Sequence, residues 1–295
     1  FAPDVIHLAS PIFLGKYASK IAQNLNIPTL SIYQTDVAGF ARHYGLTVAH
    51  NSLKKWVAKI HSSSDRTLAP STWSCKDLEQ SGVKNVHLWQ RGVDAVKFSP
   101  GKRDIDLRCE LLGSRPDRKI IGYVGRLANE KRIDDLKVLD IRDDIQLVIV
   151  GDGPARARLE KHLPNARFVG YQSGEELARY YASLDIFVHT GAHETFCQSI
   201  QEALASGVPV IAPNSGGPLD LVKHGWTGYL INTADSVALN QNVNNLLNKH
   251  EPAILRERTR SSVIDNSWDL VNGQLMNHYR ELIQLSDLRM KENVA

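Results

Sequence analysis

Short apolar runs of strand length alternate with helical stretches along most of this chain. Runs at residues 5–8, 28–33, 120–124 and 145–150 are examples. Strands that are separated by helices indicate a parallel sheet covered by helices on both faces. The pattern pauses over residues 99–117, a charged stretch with glycine and proline, and then restarts. The sequence therefore predicts an α/β protein with two domains.

The predicted boundaries follow from that pause. Residues 1–115 are expected to form the first domain, which opens directly on an inner strand and so lacks its N-terminal part. Residues 116–265 form the second domain. The tail is helical, broken by Pro252, and residues 266–295 are predicted to be a helix that crosses back to the first domain.

Composition limits the class of protein. With 295 residues and 42% hydrophobic residues, the chain can bury two cores. Its three cysteines are widely spaced, which favours a reducing, cytoplasmic compartment and no disulfide framework. The longest apolar runs are of strand length, so neither a membrane-spanning helix nor a signal peptide is expected.

The charge is unevenly distributed. Residues 1–115 hold 15 Lys and Arg against 9 Asp and Glu, whereas residues 116–295 hold 20 against 23. A basic first half suits an anionic lipid headgroup or acidic glycolipid rather than nucleic acid, although drift in surface charge gives the same pattern. One predicted helix places Lys54, Lys55 and Lys59 beside Trp56, a combination that suits a membrane surface, although a plain amphipathic packing helix is the favoured interpretation.

Two glutamates, Glu194 and Glu202, flank the start of a helix that runs from about Gln198 to Gly207. The amides of Cys197, Gln198 and Ser199 at this helix start can bind a phosphate. A carboxylate can accept two hydroxyl hydrogen bonds, as sugars and riboses require. The order acid, helix start, acid therefore predicts a nucleotide-sugar site, whereas a bare pair of this kind is usually solvated.

A second candidate loop, Gly125-Arg126-Leu127-Ala128-Asn129-Glu130-Lys131, directly follows a strand. Ligands bind outside the carboxyl ends of strands in open α/β sheets. Arg126 and Lys131 could converge there on a diphosphate, the first as a planar fork and the second as a point charge, although such a pair alone is usually solvated. The turn Gly151-Asp152-Gly153-Pro154 is predicted to be structural.

Metal binding is not predicted. Asp104-Ile105-Asp106 has an Asp-x-Asp pattern, whose two carboxylates could bind a metal ion. This pattern lies in the apparent connection between domains, where a solvated loop is expected. His189, His193, Glu194 and Cys197 cluster in the sequence, yet their spacing is not the His-Glu-x-x-His of zinc proteases.

The stretch from Glu194 through Gly207-Val208-Pro209 to Gly216-Gly217-Pro218 resembles the retaining glycosyltransferases of family 4, which have the GT-B fold of two Rossmann-like domains facing a cleft. The resemblance implies a catalytic role for three residues and a donor-binding role for a larger set. The catalytic residues are Arg126, Lys131 and Glu194. The donor-binding residues are Gly125, Arg126, Lys131, Tyr171, Glu194, Phe196, Cys197, Gln198, Ser199 and Glu202.

The first domain carries a further part of the resemblance. Gln34-Thr35-Asp36, followed by Phe40 and Tyr44-Gly45, is similar to actinobacterial GDP-mannose-dependent α-mannosyltransferases that build lipid-linked mannans. The resemblance places Gln34, Thr35 and Asp36 on the acceptor side. Many family members have His where this chain has Gln34, which argues against an imidazole acid or base.

The resemblance implies transfer of mannose from GDP-mannose to a lipid-linked or anionic glycolipid acceptor, without a metal or other cofactor. The enzyme would lie in the cytoplasm, with peripheral contact to the inner face of the plasma membrane. Two alternatives stay open. A UDP-sugar could be the donor, because the glutamate pair does not read the base, and a non-catalytic binding module is the third hypothesis.

Overall fold

The computed structural model describes residues 2–12, 14–37, 39, 47–248 and 252–292. Phe40, Tyr44 and Gly45, which contribute to the family resemblance, lie outside these ranges. The described chain divides into two compact units, one of residues 1–92 with 268–295 and one of residues 93–267.

Ten strands and twelve helices make up the described fold. The strands are β1 Ile6–Leu8, β2 Thr29–Ile32, β3 Arg66–Ala69, β4 Val86–Leu88, β5 Lys119–Val124, β6 Ile145–Val150, β7 Arg167–Gly170, β8 Ile186–Val188, β9 Val210–Pro213 and β10 Gly228–Ile231. The helices are α1 Leu14–Asn24, α2 Thr47–His61, α3 Thr72–Gln80, α4 Ile105–Leu112, α5 Lys137–Asp140, α6 Arg156–His162, α7 Gly174–Ser183, α8 Gln198–Ala205, α9 Pro218–Leu221, α10 Ser236–Leu247, α11 Pro252–Ser261 and α12 Trp268–Glu292.

The first unit is a four-stranded parallel sheet in the order β1-β2-β3-β4. Helix α12 packs on it, because the Arg66 guanidinium lies 2.6 Å from the Glu281 carboxylate and the Trp89 indole donates to the Val271 carbonyl at 2.9 Å. Leu282 of the same helix belongs to a buried cluster with Leu30 of β2. The last 28 residues therefore belong with the first sheet rather than with the unit that precedes them in the chain.

The second unit is a six-stranded parallel sheet in the order β10-β9-β8-β5-β6-β7. Relative to β5 as the first strand, this is the order of the doubly wound Rossmann fold, in which the order of successive strands reverses between β5 and β8. These two strands are neighbours, with Ile121 opposite Ile186 and Gly122 opposite Phe187. The crevice at their carboxyl ends is where such a sheet binds ligands, and both predicted site loops start at this crevice.

Strand β6 is apolar at five of its six positions, all but Gln146, because both faces of its sheet are covered. Along β6, Ile145, Leu147 and Ile149 point into one core cluster, and Val148 and Val150 into the other. All six residues of this strand are buried. A buried parallel strand is expected to read in this way, without polar alternation.

The predicted domain boundary at residues 115/116 was wrong, since the first unit ends at Gly92. The segment taken for a connection contains α4, which Asp104 caps by accepting from the Leu107 amide at 2.8 Å. Arg103 and Arg108 donate to backbone carbonyls at the end of α7 and both pair with Asp185. These buried contacts make the segment part of the second unit.

Other differences from the predicted elements are local. After β5, short 3-10 turns at Asn129–Lys131 and Ile133–Leu136 lead into α5. Strand β10 was not predicted, although it extends the sheet beside β9. The break in the helical tail at Pro252 and the start of α12 at Trp268 agree with the prediction.

Candidate functional site

The loops after β5 and β8 meet at the carboxyl end of the second sheet. Lys131 Nζ lies 2.5 Å from Glu194 Oε1, and the Thr190 hydroxyl donates to the Lys131 carbonyl at 2.6 Å. Both charged side chains are largely buried, with 21% of Lys131 and 15% of Glu194 exposed. The structure thus joins two predicted catalytic residues in one ion pair.

His189, for which the sequence predicted no role in the site, also contacts the Glu194 carboxylate. It directly follows β8, and its Nε2 lies 3.1 Å from the same Glu194 oxygen. Its ring stacks on Tyr123 of β5, with centroids 6.1 Å apart and planes 14° apart. A histidine immediately after a buried apolar strand was the available signal.

The charges in this group strongly perturb one another. Burial alone would lower the pKa of His189, but the Cys197 thiol and the Glu194 carboxylate outweigh it and raise that pKa to about 10. Burial would likewise raise the pKa of Glu194, yet His189 and Lys131 lower it to about 2. Glu194 is therefore ionised throughout the neutral range.

Arg126 is anchored by a second carboxylate. Its guanidinium pairs with Glu130, four residues further along, whose side chain is only 3% exposed. Arg126 itself is 57% exposed. The anchored guanidinium therefore remains accessible to an anion.

Glycines let the loops approach closely. A Cβ on Gly151 would lie 2.0 Å from the Gly125 carbonyl oxygen, and one on Gly153 would lie 2.4 Å from that of Leu127. The Gly-Asp-Gly-Pro turn is therefore structural, as predicted, and supports the Arg126 loop from behind.

The glycines after β9 do the same for the other loop. A Cβ on Gly216 would lie 2.4 Å from the Glu194 carbonyl oxygen, and one on Gly217 would lie 2.3 Å from the Phe196 Cα. The Gly217 amide also donates to the Glu194 carbonyl at 2.7 Å. Any larger residue would push the backbone of the glutamate loop out of place.

Helix α8 begins beside this ion pair. Its N-cap residue, Cys197, has left-handed backbone angles (φ 80°, ψ 75°), and its side chain does not cap a backbone amide of the first turn. The Cys197 thiol instead lies 3.3 Å from the Ser199 hydroxyl. A helix N-terminus with no side-chain cap suits an anion.

Glu202 lies one turn further along α8 and is partly buried. Burial raises its pKa to about 7, against the lowering effects of the neighbouring Tyr181 hydroxyl and the charge of Lys97. Tyr181 on α7 is fully buried beside it. This carboxylate therefore changes charge near neutral pH, unlike Glu194.

Three predicted donor-binding residues have different surroundings. Phe196 is 3% exposed and belongs to the core, so its part in the site is limited to its backbone. Tyr171 is 75% exposed after β7. Gln198 is partly buried and its amide donates to the Gln201 side chain at 3.2 Å.

The predicted acceptor-side residues belong to the first unit, at the end of β2. Gln34 and Thr35 are exposed and line a crevice of about 100 Å³. Asp36 is only 8% exposed, and its carboxylate accepts from the Gly39 amide at 2.8 Å. This carboxylate shapes its own turn.

The helix with the lysines beside Trp56, α2, makes the contacts of a packing helix, the interpretation that the sequence favoured. Lys54 pairs with Asp77 at 2.5 Å, and Trp56 packs against the buried cluster around Tyr33 and Val57. Among the described residues, no helix is both long enough and apolar enough to span a membrane.

Comparison with known proteins identifies the family of this chain. Residues 1–97 match the family described as Glycosyltransferase Family 4, and residues 110–263 match Glycosyl transferases group 1. The GDP-mannose-dependent alpha-mannosyltransferase of Corynebacterium glutamicum is 45% identical over 97% of this chain and 69% of its own length. The Mycolicibacterium smegmatis protein of the same name is 47% identical over 98% of this chain and 76% of its own.

A solved structure shares the fold. Anabaena Alr3699/HepE in complex with UDP-glucose superposes with a TM-score of 0.79 at 20% identity, over 94% of this chain and 79% of that one. The two family matches together cover most of the chain, and the two mannosyltransferases are similar along nearly all of it. This chain is a member of glycosyltransferase family 4.

Proposed function

We propose that this protein is a retaining mannosyltransferase that moves mannose from GDP-mannose to a lipid-linked glycan acceptor. The observation that carries the proposal is the buried Lys131–Glu194 pair, held at the strand crossover beside the start of α8. The donor is inferred from the mannosyltransferases that are 45% and 47% identical to this chain.

The donor diphosphate would lie between the Arg126 loop and the N-terminus of α8. Arg126 is accessible while anchored to Glu130, and Lys131 is held 2.5 Å from Glu194. Two cations and a helix N-terminus compensate the charge of a diphosphate. Glu194 would then accept hydrogen bonds from the sugar hydroxyls, and Glu202 from the ribose.

Transfer would proceed on one face of the sugar. The bond between C1 of mannose and the β-phosphate oxygen breaks, and the acceptor hydroxyl oxygen bonds to C1 from the same side. The acceptor proton passes to the departing phosphate oxygen, so GDP leaves with it. Arg126 and Lys131 stabilise the charge that develops on this phosphate, which is the main electrostatic contribution expected of the protein.

In this scheme Glu194 would bind the sugar hydroxyls and would not act as a nucleophile. Its Oε1 already accepts from Lys131 and His189, which leaves Oε2 for a sugar hydroxyl. Its depressed pKa keeps it ionised, so it presents a fixed negative charge to the oxocarbenium-like sugar. A preorganised charge of this kind stabilises the transition state more than the bound substrate.

No metal is required by this arrangement, since Arg126, Lys131 and the start of α8 supply the positive charge. Mannosyl transfer should therefore persist in the presence of a chelator. Loss of transfer in EDTA, restored by Mg²⁺ or Mn²⁺, would contradict this part of the proposal.

The acceptor is proposed to be presented at an anionic membrane surface. On α1, Leu14, Tyr17 and Ile21 recur on one face and are 84%, 69% and 58% exposed. Lys16 and Lys20 on the same helix are also exposed. An exposed apolar face next to lysines fits the interface of an anionic lipid bilayer.

The deciding experiment is calorimetric titration of the full chain with GDP and with UDP, followed by transfer assays with GDP-mannose. Tighter binding of GDP and formation of an α-linked product, read from the anomeric proton by NMR, are expected. Preference for UDP would favour the UDP-sugar alternative. Binding of GDP without any transfer to lipid-linked acceptors would favour a binding module.

A further inference from the structure

Three side chains with different metal-binding atoms converge beneath the proposed sugar position. One ligand atom each from His189, Glu194 and Cys197 lies within 4.8 Å of the other two. His189 and Cys197 are 3% and 7% exposed, so both are held in place by packing. Although the spacing in sequence did not predict a metal site, the fold brings an imidazole, a carboxylate and a thiol together.

We propose that His189, Glu194 and Cys197 form a binding site for a thiophilic divalent cation of the Zn²⁺ class, and that the bound ion displaces Lys131 from Glu194. Binding releases to solvent the proton that His189 shares with Glu194 and the thiol proton of Cys197, because metal ligands must be deprotonated. Zn²⁺ accepts mixed nitrogen, oxygen and sulfur ligands in a tetrahedron, and three protein ligands leave one position open. Mg²⁺ and Ca²⁺ prefer oxygen ligands and should not bind to this set.

The chain itself provides the competitor. Lys131 Nζ lies 2.5 Å from the Glu194 oxygen that also faces His189. A divalent cation among the three ligands and the ammonium group repel each other, so only one of them can pair fully with Glu194. The ion and the catalytic arrangement are therefore mutually exclusive.

Inhibition follows from this exclusion. With Lys131 displaced and Glu194 coordinated, neither residue can serve the donor, and mannosyl transfer should stop until a chelator removes the ion. This consequence rests on the proposed function, whereas binding of the ion does not. Spectroscopic measurement of binding keeps the two claims separable.

The experiment uses Co²⁺ as a spectroscopic substitute for Zn²⁺ on the full chain. Binding should give sulfur-to-cobalt charge-transfer absorption and the visible bands of a four-coordinate ion, and Zn²⁺ should displace it. Cys197→Ser should remove the charge-transfer band. Cys109→Ser, which changes an exposed free cysteine on α4, is the matched control and should retain it.

Two further variants test the geometry. His189→Gln should weaken Co²⁺ binding by about 100-fold, since losing a ligand costs at least as much as losing the residues that orient it. Lys131→Ala should strengthen binding by about tenfold or more, because it removes the competing charge. A folded Cys197→Ser protein, verified by circular dichroism, excludes unfolding as the cause.

The proposal is overturned if Co²⁺ gives no sulfur band in the wild type, or if the band survives Cys197→Ser. Weaker rather than stronger binding in Lys131→Ala would refute the competition. If Co²⁺ binds as expected but transfer is unaffected, the claim that the ion displaces Lys131 from a catalytic role fails while the metal site stands.

Discussion

The two units share a parallel α/β architecture but differ in how their strand ends are organised. In the second unit, a buried ion pair, Lys131–Glu194, joins the loops of two neighbouring strands. In the first, Gln34 and Thr35 are exposed after β2, and Asp36 caps its own turn. The second unit therefore places a charged pair at its strand ends, whereas the strand end of the first unit exposes a neutral amide and a hydroxyl group.

The buried apolar clusters of the described residues are also larger in the second unit than in the first. The six-stranded sheet separates two extensive buried clusters, one on each face. The four-stranded sheet has smaller clusters, and its α1 exposes Leu14, Tyr17 and Ile21. The proposed donor site therefore lies in the unit with the more extensive core, whereas the exposed apolar face of α1 lies in the unit with the smaller clusters.

The largest predicted effect is that of Glu194→Gln on mannosyl transfer. Removing the charge that faces the reacting sugar should lower kcat by about 10²-fold, or about 2.7 kcal/mol. GDP affinity should change little, because GDP lacks the sugar. Steady-state kinetics and calorimetry on the same protein measure both.

Glu160→Gln, at a half-exposed ion pair on α6, is the control and should behave as wild type. Normal transfer with GDP binding abolished in Glu194→Gln would place this residue on the nucleotide. The division between a sugar carboxylate and a ribose carboxylate would then be reversed.

The next effect concerns nucleotide binding. Arg126→Ala and Glu202→Ala should each weaken GDP binding by roughly 1.5–3 kcal/mol, the usual cost of a lost charged hydrogen bond. Gln34→Ala in the first unit should leave GDP affinity unchanged. Equal losses of GDP affinity in all three variants would contradict the assignment of nucleotide binding to the second unit. Unchanged GDP affinity in both Arg126→Ala and Glu202→Ala would rule out these residues as the nucleotide site.

Much of the site was predictable because charged residues directly follow strands. Arg126 and Lys131 after β5, and Glu194 after β8, were identified from strand ends, and adjacency of β5 and β8 brings them together. The helix start at Gln198 was also predicted within a residue. Local patterns suffice where the ligand edge of a parallel sheet fixes the geometry.

The rest depends on packing that short patterns do not contain. In the sequence, nothing distinguishes His189 from any other residue that follows an apolar run. In the structure, stacking on Tyr123 and contact with the Glu194 carboxylate define its position. The boundary at residue 92 was missed because Arg103 and Arg108 reach carbonyls about 80 residues away. The charged residues that suggested a linker, Arg103 and Arg108, instead pair with Asp185, which is distant in the sequence.

A smaller effect should appear in the pH dependence of GDP binding. Burial raises the pKa of Glu202 to about 7, so this carboxyl is mostly protonated at pH 6 and mostly ionised at pH 8. If the ionised form accepts the ribose hydroxyls, affinity should rise about tenfold over this range. Guanosine should show the same rise, which excludes titration of the phosphates.

Glu202→Gln is the control for this profile and should bind guanosine with a flat dependence between pH 6 and 8. Glu194 cannot produce the rise, because its pKa lies near 2. A profile that stays steep in Glu202→Gln would assign the titration to another group and weaken the ribose role of Glu202.

The smallest predicted effect tests the first unit. Lys20→Gln on α1 should weaken binding to vesicles containing anionic lipid by about fivefold, since one lysine near such a surface contributes about 1 kcal/mol. The difference should shrink at high salt, because exposed charges are screened beyond about 10 Å at 0.1 M and over shorter distances above it. Lys161→Gln changes an exposed lysine of the second unit and is the matched control. Equal weakening by both variants would mean that net charge rather than the α1 face determines adsorption, and the two units would not differ in their contact with membrane.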